Sequence, residues 1–103
     1  MGKVLAFINQ KGGVGKTTSA VNVGLSLAVS EIKTLIVDLD PQANATIGLS
    51  DLAEKSEKNI YDVLINNDDI RMAISKTTFP CLDVLPSTND LVGAEVELVN
   101  IMA

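Results

Sequence analysis

Residues 4–18 limit what this chain can fold into more than any other stretch. A run of apolar side chains, Val4-Leu5-Ala6-Phe7-Ile8, passes through Asn9-Gln10-Lys11 into Gly12-Gly13-Val14-Gly15 and then Lys16-Thr17-Thr18. A run that is apolar at consecutive positions fits a strand buried on both faces, as in a parallel sheet covered by helices on two sides. Glycines lack Cβ, so the backbone after the strand can turn sharply and point successive N–H groups inward. Residues 17–30 read as a helix. Its apolar residues (Ala20, Val21, Val23, Leu25, Leu27, Ala28 and Val29) spread around much of the circumference, which predicts a largely buried element. Thr34-Leu35-Ile36-Val37 is a second buried strand, ending at Asp38-Leu39-Asp40-Pro41. Strand, turn, helix and strand make one βαβ unit with a right-handed crossover. The expected class is α/β, a mostly parallel sheet with flanking helices in three layers.

The remainder is patterned less strongly. Residues 42–58 are polar and read as loop with a short helical piece. Residues 60–65 and 70–74 read as two short amphipathic helices around the turn at Asn66-Asn67-Asp68-Asp69. Leu82-Asp83-Val84-Leu85-Pro86 alternates and predicts a third strand, closed by Pro86. Thr88 or Asn89 caps a final helix through Leu91, Val92, Val96, Leu98, Val99 and Ile101. That helix meets no stop signal before Met102-Ala103, and three strands are few for a two-sided sheet. Both features make the segment read as truncated.

Composition narrows the functions. A length of 103 residues suits one small domain, and an apolar content of 47% with little aromatic residue predicts a core of Val, Leu, Ile and Ala. The net charge of −5 argues against a basic nucleic-acid face within these residues. With no histidine there is no imidazole chemistry, and with Cys81 as the single cysteine there is no internal disulfide or Cys-cluster metal site. Cys81 reads as a buried, reduced thiol. The first apolar run is too short for a signal sequence or a membrane span, and Ala6 stands where a myristoylation signal needs Ser or Thr. The expectation is a soluble, cytoplasmic protein.

Lys11 through Thr18 carry the chemistry. The pattern G-x-x-x-x-G-K-[ST] cradles nucleotide phosphates. Gly15-Lys16-Thr17 supplies its end, while Gln10 stands where its first glycine belongs. Gly12, Gly13, Val14 and Gly15 would wrap backbone N–H groups around phosphate oxygens. The following helix would aim the positive end of its dipole at them. Lys16 would offset β- and γ-phosphate charge, Thr17 would ligate Mg²⁺ and Thr18 would donate to the α-phosphate. Solvent-facing lysines on a glycine-rich turn are the competing reading. Asp38 and Asp40 close a strand of the same unit, and ligands of open α/β sheets gather at such ends. Asp40 would orient attacking water and hold a Mg²⁺-bound water; a turn-capping role competes, more strongly for Asp38.

The segments Asn9-Gln10-Lys11-Gly12-Gly13-Val14-Gly15-Lys16-Thr17-Thr18 and Asp38-Leu39-Asp40-Pro41-Gln42-Ala43-Asn44-Ala45-Thr46 together resemble the ParA/Soj family of partition ATPases, whose Walker A loop is deviant. Ile60-Tyr61-Asp62-Val63-Leu64, Leu85-Pro86-Ser87-Thr88 and residues 91–98 are similar to it as well. The resemblance runs through essentially the whole chain. It implies that residues 1–103 are the N-terminal part of a single P-loop ATPase domain of the CbiA-like nucleotide-binding kind. ATP and Mg²⁺ are the implied cofactors, with Lys11, Lys16 and Asp40 as catalytic residues and Thr17 and Asp40 at the metal. Lys11 would be the signature lysine that reaches the nucleotide of the other subunit in an ATP-dependent homodimer. Asp40 would be the switch residue for hydrolysis. Further implied are a ParB/Spo0J-type partner, non-specific DNA bound through a part absent from these residues, no membrane, and nucleoid association in the ATP state. The segment alone is expected to be inactive, since it lacks the Walker B carboxylate.

Two positions depart from the family pattern. Ser30-Glu31-Ile32-Lys33 has no glycine at the helix end where many relatives have one, and Ala43 stands where glycine is frequent. The latter predicts a slightly restricted switch loop. A MinD-type division-site regulator and an iron–sulfur carrier share the two-lysine loop and remain alternatives, as does a non-functional remnant. Asp40-Pro41-Gln42 favours the partition family.

Overall fold

The computed structural model describes residues 2–5 and 16–102. The glycine-rich segment 11–15 and most of the first predicted strand therefore lie outside the described residues. The part of that strand that is described, Val4 and Leu5, is not in a strand, and Val4 is 94% exposed. The strand prediction is corrected there.

Helix α1 spans Lys16–Val29, followed by strand β1 (Thr34–Val37), helix α2 (Asn44–Gly48) and helix α3 (Ile60–Leu64). A 3₁₀ turn at Ile70–Met72 leads into β2 (Ser75–Lys76) and β3 (Leu82–Leu85); a second at Asn89–Gly93 runs into α4 (Ala94–Met102). The sheet order is β1-β3-β2. Strands β1 and β3 are parallel with Ile36 opposite Val84, and β2 joins β3 antiparallel with Ser75 opposite Val84. The class is α/β as expected, with a mixed sheet.

Two cores cover the sheet. Ala28, Ile36, Leu49, Leu82 and Val84 form one, with Val21, Leu25, Leu52, Phe79 and the half-buried Cys81 packed against it. Ile60, Ala73, Leu85, Leu91 and Ala94 form the other, flanked by Tyr61, Val63 and Ile65. Alternation along β3 divides its side chains between them, Leu82 and Val84 to the α1 side and Leu85 to the opposite side. Gly24 lets α1 lie close on the sheet, because a Cβ there would sit 2.6 Å from Ile36 Cδ1.

Helix α1 is less buried than its sequence predicts. Ala28 is its one apolar residue in the core itself, and Val29 is 69% exposed. The helix packs one face on β1, and its outer side carries a shallow open depression lined by Asn22, Val23, Ser26, Leu27 and Ser30. Its end is more informative. Ile32 N–H donates to the Leu27 carbonyl (3.0 Å) and Glu31 N–H to that of Ala28 (2.9 Å), with Glu31 at φ 65°. This is a Schellman closure, in which the residue past the helix takes the left-handed conformation that glycine adopts most cheaply. The missing glycine is thus replaced by a strained glutamate, with the backbone geometry kept.

The later elements form where local signals place them. Asn59 caps α3 by accepting from Tyr61 N–H and Asp62 N–H, and Asp62 accepts in return from Asn59 N–H at 3.0 Å, a capping box. Thr88 caps the turn leading to α4. Tyr61 donates its hydroxyl to the Glu97 carboxylate at 2.9 Å and so ties α3 to α4.

Candidate functional site at the carboxyl ends of β1 and β3

Helix α1 connects to β1 through residues 30–33 and packs on it by way of Gly24 and Ile36. So short a connection makes helix and strand antiparallel neighbours. The N-terminal end of α1, which opens at Lys16, therefore lies at the same end of the sheet as Asp38. Strand β3 runs parallel to β1, which puts Ser87 there too. Of the residues expected to bind phosphate, Lys16, Thr17 and Thr18 occupy the first turn of α1, and Thr18 is exposed. Lys11, Gly12, Gly13, Val14 and Gly15 lie outside the described residues.

Several hydrogen bonds hold the loop after β1. Asp38 is only 4% exposed. Its Oδ1 accepts from Asp40 N–H at 3.0 Å, and its Oδ2 from Thr46 N–H at 2.9 Å and the Thr46 hydroxyl at 2.7 Å. A carboxylate this buried would be very costly without such donors, and bonds to a charged acceptor are worth about 1.5–3 kcal/mol each. The competing reading of Asp38 as a turn cap is therefore the one its geometry supports.

Asp40 is placed differently. It is half-buried; Oδ1 accepts from Gln42 N–H at 3.0 Å and Oδ2 from the Asn44 side-chain amide at 3.3 Å. One donor is an exposed loop amide and the other a long contact to a mobile type of side chain, so both can be exchanged for another group. Its carbonyl, by contrast, accepts from Ala43 N–H at 2.8 Å and from the Ser87 hydroxyl at 2.6 Å. Ser87 N–H donates to Thr46 Oγ at 2.9 Å, closing a chain from Asp38 through Thr46 to the end of β3. Ser87 and Thr46 are the residues that sequence reasoning missed. Both lie in segments that resemble the family, yet nothing local marks hydroxyls that meet across the sheet.

Ala43 precedes α2 at φ 57° and ψ 37°, with no side-chain cap. This explains the frequent glycine at that position: the turn needs a left-handed residue, and a Cβ there costs about 1–2 kcal/mol. The predicted restriction of the loop has that cause.

An oxygen-only donor set at a strand end suits Mg²⁺, which keeps several waters and takes one or two protein ligands beside phosphate. Asp40 has the accessible carboxylate for it. Among the described residues no group of three acidic, His or Cys side chains forms a metal cage by itself. No helix among them is long and apolar enough to cross a membrane.

The family model AAA_31, an AAA domain, matches residues 2–103. The chain belongs to the AAA_31 family. Within reach of it are partition proteins: it is 50% identical over 99 residues to the sporulation initiation inhibitor protein Soj of Bacillus subtilis, covering 96% of this chain and 39% of that one. With the chromosome partitioning protein ParA of Myxococcus xanthus the identity is 48% over 97% of this chain and 35% of the relative. A cobyrinic acid a,c-diamide synthase from Mycobacterium smegmatis, solved with an ATP analogue and magnesium, superposes with a TM-score of 0.79 at 36% identity, over 89% of this chain and 37% of that one. The chain thus spans little more than a third of the length of these proteins. The resemblance read from residues 9–18 and 38–46 and the AAA_31 match agree.

Proposed function

We propose that this AAA_31 chain supplies the phosphate-binding and switch segments of a partition ATPase, one that binds Mg²⁺-ATP, hydrolyses it and acts in chromosome or plasmid segregation. The observation that carries the reading is the shared end of the sheet: α1 begins at Lys16, directly after the glycine-rich segment, at the end where the accessible Asp40 carboxylate leaves β1. The similarity to Soj and ParA supports the same assignment. Residues 1–103 act as the N-terminal part of a single nucleotide-binding domain.

In this reading Lys11 through Thr18 hold the phosphates. Backbone N–H groups of Gly12 to Gly15 and the first turn of α1 face phosphate oxygens, and Lys16 offsets their charge. Thr17 and Asp40 hold the hydrated Mg²⁺, which neutralises charge on the phosphates when bound. Asp40 orients water, moving from its loop donors to that task. Lys11 contacts nucleotide across a homodimer that forms with ATP. That dimer binds DNA without sequence preference, and a ParB-type partner stimulates hydrolysis; this segment's charge of −5 leaves DNA contact to other residues.

The test is made on the full-length protein with a fluorescent ATP analogue, light scattering and phosphate release. Lys16→Ala is expected to weaken nucleotide binding at least tenfold. Lys11→Ala is expected to bind nucleotide as a monomer, and Asp40→Ala to dimerise and retain DNA in ATP without releasing phosphate. Undiminished nucleotide binding by Lys16→Ala would sink the phosphate-loop assignment. A normal ATP dimer in Lys11→Ala would return that residue to the status of a solvated loop lysine.

A further inference from the structure

Ser87 directs its hydroxyl and its N–H to residues 40–46. It is 8% exposed, its hydroxyl donates to the Asp40 carbonyl at 2.6 Å, and its N–H donates to Thr46 Oγ at 2.9 Å. The Thr46 hydroxyl in turn donates to Asp38 at 2.7 Å. These groups come from three places in the chain: Asp38 and Asp40 follow β1, Thr46 is in α2, and Ser87 follows β3. Among the described residues the Asp40 side chain has no comparable hold, being met by Gln42 N–H and the Asn44 amide. Backbone and side chain of Asp40 are therefore treated oppositely, the first fixed to the sheet and the second left exchangeable.

We propose that Ser87 and Thr46 are positioning residues for hydrolysis, a clasp that fixes the Asp40 backbone so that its carboxylate swings from a constant origin. The inference rests on the reading of Asp40 as the switch residue. Its physical basis is distance. A carboxylate that orients water must return to one place in every turnover, and misplacement by about 1 Å can cost up to 10²-fold in rate. The Ser87 hydroxyl adds to the turn bond from Ala43 N–H a second tie on the same carbonyl, directed from a neighbouring strand end. Without it, the Asp40 carbonyl rests on a turn closed by a left-handed Ala43. The clasp bonds named above join only residues 38–46 and 87, so nucleotide affinity is expected to depend on it little.

Ser87→Ala removes only the hydroxyl tie. Thr46→Val is nearly isosteric and keeps the backbone N–H bond to Asp38, but it removes the hydroxyl's bonds to Asp38 and Ser87, while Thr46→Ser keeps the hydroxyl. In the full-length protein, Ser87→Ala is expected to lower kcat for phosphate release about tenfold with KM for ATP changed less than threefold. Thr46→Val should lower it at least as far, and Thr46→Ser should recover most of the parent rate. Thermal unfolding of each variant accompanies the kinetics. A parent-like kcat in Ser87→Ala, or equal losses in Thr46→Ser and Thr46→Val, would overturn the clasp while leaving the ATPase reading intact. A rise in KM matching the loss of kcat would also overturn it, since the residues would then serve binding. An inactive parent that also fails to bind ATP would remove the reading and the clasp together.

Discussion

Strands β1 and β3 lie side by side in one parallel ladder, yet they sit in different surroundings. Strand β3 is paired on both edges and lies between two cores, with Leu82, Val84 and Leu85 each exposed by no more than 2%. Strand β1 is paired on one edge among the described residues; Ile36 faces α1, while Leu35 and Val37 remain 41% and 46% exposed. The amino acids do not explain the contrast, since Thr34–Val37 has as many apolar residues as Leu82–Leu85 and is more β-branched. Position in the sheet does. A strand's sequence states how much burial it can accept, and its neighbours determine how much it receives.

The contrast predicts unequal responses to truncation. Leu85→Ala should destabilise the fold by about 3 kcal/mol, in the range for buried leucines, whereas Leu35→Ala should cost less than about 1 kcal/mol. Urea unfolding of both variants reads this directly, and equal losses would mean that the outer face of β1 is covered in solution. Next in size is Gly24→Ala, which pushes a methyl group against the buried Ile36. Overpacking there is expected to cost about 1–2 kcal/mol net of the helix-propensity gain. An unchanged midpoint would show that α1 can ride away from β1. Glu31→Gly and Ala43→Gly remove left-handed strain at two turns and should each raise stability by roughly 0.5–1 kcal/mol. Only the second should also loosen the Asp40 loop, measurable as faster amide exchange in residues 40–46.

The smallest effect concerns the side of the sheet that β3 completes. The Tyr61 hydroxyl is raised above its usual pKa, first by the hydrogen bond to Glu97 and then by burial. A raised folded pKa means that the contribution is whole below about pH 10, the ordinary tyrosine value, and is lost as pH climbs through the folded one. The parent should therefore lose stability on alkaline titration more steeply than Tyr61→Phe. Parallel curves for the two would remove Tyr61 as the cause.

The sequence was most legible where apolar pattern and cap agree. Residues 34–37 and 82–85, the short helix within residues 42–58 and the Thr88 cap all stand where pattern placed them. Strand β2 gave no signal because Ser75–Lys76 is two residues long, one of them a lysine, and exists through its pairing with β3. The two absent glycines were visible as departures, but that Glu31 and Ala43 would keep the glycine backbone is a consequence of the turns around them. At the candidate site, Asp38 and Asp40 were singled out by their place at the end of the second strand. Their different surroundings were not legible, because those depend on Thr46 and Ser87 arriving from elsewhere in the chain.

The sheet order β1-β3-β2 also fixes a sequence in time. The β2–β3 hairpin closes through residues 77–81, whereas β1 reaches β3 only after residues 38–81 have been gathered in, at a loop-closure cost roughly 2 kcal/mol higher. Strand β3 is therefore expected to find its antiparallel neighbour first and to wait, edge open, for its parallel one. Since Ser87 lies two residues past β3 and its acceptor on Asp40 three residues past β1, the clasp is among the last contacts to form, and the loop it governs acquires its shape only when folding is nearly over.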